Sequence, residues 1–229
     1  MTPAETLTLA AYFFVVIVLA IYGWHRYYLV YLYMSNRDKE PKTCPALDPM
    51  PAVTIQLPLY NEMYVAERLI DAVCAIDYPR ELYEIQVLDD STDETRSIAE
   101  LAVRRYAAQG IDIKYIHRLD RTGYKAGALE AGLRVARGEF VGIFDADFIP
   151  TSDFLTRLMP HFGDPRVGMV QARWGHINQD YSLLTKIQAI LLDGHFILEH
   201  GGRNSPTAAS PSRRSTSSAS VSPPPRATA

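Results

Sequence analysis

Glu139-Phe140-Val141-Gly142-Ile143-Phe144-Asp145-Ala146-Asp147-Phe148-Ile149-Pro150 is an apolar run that ends in two carboxylates one residue apart. Buried parallel strands read as such uninterrupted apolar stretches, and open α/β sheets bind ligands at the carboxyl ends of their strands. Alternation along a strand puts Asp145 and Asp147 on one side, where both can face a hard cation or the phosphates it carries. An acidic strand end alone is common in soluble proteins, so the weight falls on what accompanies it.

Three further junctions of the same kind precede it. Val53–Glu62 reads Val-Thr-Ile-Gln-Leu-Pro-Leu-Tyr-Asn-Glu, and Glu84–Ser91 reads Glu-Ile-Gln-Val-Leu-Asp-Asp-Ser. Arg118–Leu129 (Arg-Leu-Asp-Arg-Thr-Gly-Tyr-Lys-Ala-Gly-Ala-Leu) is a glycine-bearing loop that enters a helix. The pattern predicts strands near 52–57, 84–89, 111–116, 139–145 and 167–171, with helices near 62–76, 93–109, 124–137, 151–161 and 181–200. This βαβα order predicts an α/β fold, a mostly parallel sheet covered on both faces.

Outside that core the chain changes character twice. Leu7–Trp24 carries no charge; as a helix its 18 residues span about 27 Å, close to a bilayer's hydrocarbon thickness. The tyrosines at 27, 28, 31 and 33 extend it as an aromatic belt, giving a transmembrane helix over 7–33. Arg26, Arg37, Lys39 and Lys42 follow the uncharged run Leu7–Trp24 and no basic residue precedes it. The positive-inside rule then leaves the soluble part in the cytoplasm, attached to the cell inner (plasma) membrane. Residues 34–51 form a proline-bearing linker and 52–203 the folded domain. In 204–229, 21 of 26 residues are Ser, Pro, Ala or Thr, a composition that predicts disorder.

Net charge is −3, and the tail's three Arg leave the rest near −6 (20 basic against 26 acidic residues). With no basic stripe, nucleic acid is set aside as a partner. Cys44 and Cys74 form no C-x-x-C and read as unpaired thiols.

The four junctions together resemble a known family. Pro58-Leu59-Tyr60-Asn61-Glu62, Asp89-Asp90-Ser91, Lys125-Ala126-Gly127-Ala128-Leu129 and Asp145-Ala146-Asp147 fall in the order seen in family 2 glycosyltransferases, inverting enzymes of GT-A fold that act on sugar nucleotides. Val170–Asn178 is similar to the processive membrane branch, akin to cellulose synthases and glucomannan-synthase-like proteins. The resemblance covers roughly 52–203. It implies a nucleotide-sugar donor, a β-glycan acceptor, a divalent metal (Mg²⁺ or Mn²⁺), and donor contacts at Tyr60 and Glu62.

Several residues then acquire expected roles. A carboxylate at Asp89 or Asp90 can accept a nucleobase imide N–H or a ribose hydroxyl, though it can equally cap the next helix; the resemblance makes this the nucleoside-reading position. Lys125, flanked by Gly123 and Gly127 at a helix start, suits a diphosphate, with His117, Arg118 and Arg121 as lesser candidates. Asp147, with Asp145, would hold the metal, and Asp145 also the sugar or ribose. Arg173 and Trp174 read as the end of a strand beside the acceptor side; His176, His195 and His200 read as structural. The family's Thr-Glu-Asp base and its Q-x-x-R-W segment do not occur. The sequence therefore reads as the donor-binding portion of such an enzyme, truncated at its C-terminus. Such a chain is impaired in turnover, or binds nucleotide sugars without transferring them.

Overall fold

The computed structural model describes residues 2–36, 47–165, 167–172, 178–194 and 219–222. Arg173, Trp174, the three candidate structural histidines, Cys44 and most of the 34–51 linker lie outside the described residues. The chain divides into two compact units, residues 1–41 with 178–209, and residues 42–177 with 210–229.

In the first unit, helix α1 runs from Pro3 to Asn36. It encloses the predicted 7–33 span, and at 1.5 Å per residue its length is about 51 Å. Mean hydropathy reaches 2.2 in its most apolar window, long and apolar enough to cross a membrane by length and composition. A shorter helix, α6 (Leu183–Asp193), belongs to the same unit and starts from a capping box in which Ser182 and Thr185 each bond the other's backbone N–H.

The second unit holds a six-stranded sheet made of β1 (Val53–Leu59), β2 (Tyr83–Asp89), β3 (Ile113–His117), β4 (Phe140–Phe144), β5 (Val170–Gln171) and β6 (Ala219–Ser222). Their order is β3-β2-β1-β4-β6-β5. The first four are parallel, with Val53 opposite Tyr83 and Phe140, and Ile85 opposite Ile113. Between them run α2 (Ala66–Cys74), α3 (Thr95–Ala107) and α4 (Tyr124–Leu133), and α5 (Phe154–Leu158) follows β4.

Register divides the residues of the sheet between two unlike faces. Odd positions of β1 to β3 and even positions of β4 form the apolar face: Val53, Ile55, Leu57, Ile85, Val87 and Phe144 join Leu69, Ile70 and Val73 of α2, Ala99 and Val103 of α3, and Phe154 and Leu155 of α5 in one core. The opposite face is polar and still buried. Thr54, Gln56, Glu84 and Gln86 are all at most 3% exposed, and they bond across strands: Thr54 donates to Glu84 (2.8 Å) and Gln56 to Gln86 (3.0 Å). Helix α4 covers this face with small residues, and a Cβ at Gly132 would stand 2.6 Å from the Gln56 amide.

Ala219–Ser222 enters the sheet between β4 and β5, antiparallel to both. The free backbone edge of β4 explains it, since a proline-free Ala-Ser-Val-Ser segment can satisfy those groups. The rest of 204–229 lies outside the described residues. The predicted strand 167–171 shrinks to Val170–Gln171.

Candidate functional site

Because β1 to β3 step one way across the sheet and β4 lies on the other side of β1, the strand order reverses beside β1. In open α/β sheets the ligand crevice lies outside the carboxyl ends at such a reversal. The carboxyl ends of these strands lead into Tyr60-Asn61-Glu62, Asp89-Asp90, His117-Arg118 and Asp145-Ala146-Asp147, the four predicted junctions.

Asp89 and Asp90 part company, because consecutive residues of a strand point to opposite faces. Asp89 lies on the apolar side, fully buried. One carboxylate oxygen accepts from the Ser91 N–H (2.9 Å) and the other from the Tyr115 hydroxyl (2.5 Å). Burial, then this bond to Asp89, pushes the Tyr115 hydroxyl well above its ordinary value, so it stays a donor. His117 Nδ1 stands 2.9 Å from the Asp89 carbonyl oxygen. As placed, Asp89 is an internal brace with both oxygens used.

Asp90 lies on the α4 side and is held by Arg118, whose Nε and Nη2 reach its two oxygens at 2.8 and 2.5 Å. This fork raises the Arg118 pKa further. Asn61 ties the β1 and β2 ends together. Its N–H donates to Ser91 Oγ and its Oδ1 accepts from the Thr92 N–H, both at 2.9 Å, from a left-handed backbone with φ 55°.

The loop into α4 brings the basic residues in. Gly123 (φ 75°) and Tyr124 (φ 48°) are both left-handed, which turns the chain sharply into the helix. Lys125, one residue into α4, pairs with Asp145, and both side chains are about half exposed. The Arg121 guanidinium lies 3.3 Å from the Tyr60 ring centroid and 5.0 Å from that of Tyr124, and its Nε is buried without a hydrogen-bond partner. Strand β4 ends at Phe144, and a turn closed by the Phe148 N–H to the Asp145 carbonyl follows. The strand-alternation rule therefore stops short of the aspartates. Asp147 is exposed and carries no hydrogen bond or ion pair among the described residues. Glu62 is likewise exposed beside Tyr60.

No group of three or more His, Cys, Asp or Glu among the described residues could hold a metal ion by itself. Burial, then the charge of Asp71, pushes the Cys74 thiol up to about 12, which keeps it in the thiol form. Sequence reasoning overlooked Tyr115 and Asn61 and ranked Arg118 and Arg121 low. Their partners lie on neighbouring strands, and pairing register is not written in any one segment.

The fold and the sequence resemble those of known proteins. Residues 54–217 match the model of "Glycosyl transferase family 2". Over 183 residues the chain is 42% identical to glucomannan 4-beta-mannosyltransferase 9 and 43% identical to glucomannan 4-beta-mannosyltransferase 2, both of Arabidopsis thaliana; each alignment takes in 75% of this chain and 34% of the relative. The chain thus spans about a third of the length of these curated relatives. Among solved structures, a mannosyltransferase from Pyrobaculum calidifontis in complex with GDP-Man and Mn²⁺ superposes with a TM-score of 0.54 at 32% identity, covering 72% of this chain and 47% of that one. A parallel sheet with four motif-bearing strand ends, matched by a family model across most of its length, places this chain in glycosyl transferase family 2.

Proposed function

We propose that the chain carries the donor-binding part of a membrane-anchored, inverting hexosyltransferase. It would take a hexose from a GDP- or UDP-sugar toward a β-glycan acceptor. The relatives are named as mannosyltransferases, and the similar solved structure holds GDP-Man, which favours mannose and GDP. The observation that carries the reading is Lys125 brought onto Asp145, two residues before Asp147, which is exposed and without a hydrogen bond or ion pair among the described residues. A basic group paired with one carboxylate, and a second carboxylate two residues further on, suit a diphosphate and its cation.

Each residue then has a task. Tyr60 and Glu62 border the nucleoside end, with the Arg121 cation already lying against the Tyr60 ring. Asp90 lies on the α4 side of the sheet with both oxygens held by Arg118, so its part is to fix the loop that carries the basic residues. Lys125 neutralises Asp145 now, and with a diphosphate in place its ammonium bridges two anions. Mg²⁺ and Mn²⁺ sites are commonly built from one or two carboxylates completed by phosphate oxygens and water. Asp145 and Asp147 fit that donor set. When bound, such a cation offsets the charge that develops on the departing nucleoside diphosphate. Transfer breaks the bond between the anomeric carbon and phosphate oxygen as the acceptor hydroxyl attacks from the opposite face and gives its proton to a general base, the part that the resemblance assigns to a Thr-Glu-Asp aspartate not found in this sequence. Lys125 stabilises the leaving diphosphate by direct charge. Helix α1 would hold the protein at the membrane where the glycan grows.

Calorimetric titration of the detergent-solubilised chain with GDP and UDP, in Mn²⁺ and in EDTA, tests this. Binding should weaken roughly tenfold or more without metal, and Asp147→Ala in Mn²⁺ should behave as the wild type does in EDTA. Equal affinity with and without metal would overturn the reading.

A further inference from the structure

We infer that Arg118 is a positioning residue, which fixes the loop between β3 and α4 and so sets Arg121 and Lys125 in place. This rests on the donor-binding reading above. Arg118 spends its whole fork inside the protein. Nε and Nη2 hold both oxygens of Asp90, Nη1 donates to the Thr122 carbonyl (3.3 Å), and Nη2 also donates to the Tyr124 carbonyl (3.0 Å). Its own N–H donates to the Asp89 carbonyl (3.2 Å). The side chains of Arg118 and Asp90 are 17% and 5% exposed.

The two carbonyls it holds flank Gly123. That matters because Gly123 and Tyr124 are both left-handed, and a tyrosine adopts that conformation only where its surroundings over-determine it. Arg118 bonds on either side of the bend supply that constraint, and the fork to Asp90 anchors them to the sheet. Room for the arrangement comes from Gly127, where a Cβ would stand 2.1 Å from the Thr122 oxygen and 2.8 Å from Arg118 Nη1. A direct phosphate ligand needs free N–H groups and an unneutralised charge. Arg118 instead faces a carboxylate that already takes both arms of its fork.

Lysine keeps the charge but cannot reproduce the fork, so Arg118→Lys separates positioning from charge. The measurement is the Kd of the better-binding nucleotide, GDP or UDP, in Mn²⁺ for wild type, Arg118→Lys, Asp90→Asn and the double variant. Each is measured below its melting temperature. Hydrogen exchange of the 119–127 segment is followed without nucleotide. Each single change should weaken binding roughly tenfold, and the double variant should be no weaker than either, because both break one clamp. Loop exchange should quicken in all three. Gly127→Ala, which alters no charge, should reproduce both effects. Wild-type affinity in Arg118→Lys, tighter binding in Asp90→Asn, or additive losses in the double variant would overturn the inference. A wild type that binds neither nucleotide removes the donor reading instead, and the exchange data then still decide whether Arg118 holds the loop.

Discussion

Glu84 sits in the polar face of the sheet, 3% exposed, and accepts from Thr54 Oγ1 (2.8 Å), Lys114 Nζ (2.6 Å) and the Arg137 N–H (2.9 Å). Burial alone would raise its pKa. The bonds from Lys114, the Arg137 N–H and Thr54, with the Lys114 charge, outweigh that and hold it below its ordinary value of 4.5. A carboxylate whose pKa is depressed by folding adds stability above its unfolded value and loses it as pH falls through the folded one. The melting temperature should therefore decline as pH drops below about 4.5. Glu84→Gln should melt lower at neutral pH and show a shallower acid decline; an identical acid decline in the variant would show that Glu84 is not the group responsible. The same residue scale explains Asp89 and Asp90. Their place at a strand end is legible in the sequence, but their split between a Tyr115 brace and an Arg118 fork depends on which strands lie alongside.

At the scale of elements, α4 shows what the sequence carries and what it conceals. Its start at Tyr124 is readable from the glycine-bearing loop before it. Its end is not: the expected helix to 137 stops at Leu133. The N–H groups of Arg137 and Gly138 are instead taken by the side chains of Glu84 and Thr54, 53 and 84 residues away along the chain. Nor does local pattern explain why α4 is so rich in alanine and glycine, until the buried Gln56 and Gln86 beneath it are seen. Adding a methyl at Gly132 would press on Gln56 Nε2 (2.6 Å), Gln86 Oε1 (2.7 Å) and Leu88 (2.8 Å). Overpacking of this kind costs about 1–3 kcal/mol. Gly132→Ala should lower the stability of the sheet unit by that much in urea unfolding with the m-value unchanged. No loss would mean that α4 lies less tightly on the polar face than its contacts indicate.

For the molecule as a whole, βα alternation was enough to predict a parallel sheet, and the apolar runs located its first four strands to within two residues at most ends. Strand order was out of reach, because it depends on which edges meet, and with it the reversal beside β1 that brings the junctions to one end of the sheet. The Ala-Ser-Val-Ser strand was hidden for the same reason, since only the open edge of β4 gives it a place. The central claim spans these scales: a nucleoside diphosphate and a divalent cation bind together at the carboxyl ends of the sheet, through Lys125, Asp145 and Asp147. Electron paramagnetic resonance of free Mn²⁺ tests it directly. With GDP or UDP present, wild-type chain should remove Mn²⁺ from solution beyond what the nucleotide alone removes, approaching one ion per chain at saturation, and a variant carrying Asp145→Asn and Asp147→Asn should not. Contradiction would come from wild type removing no more Mn²⁺ than the nucleotide does, or from the double variant removing as much as wild type.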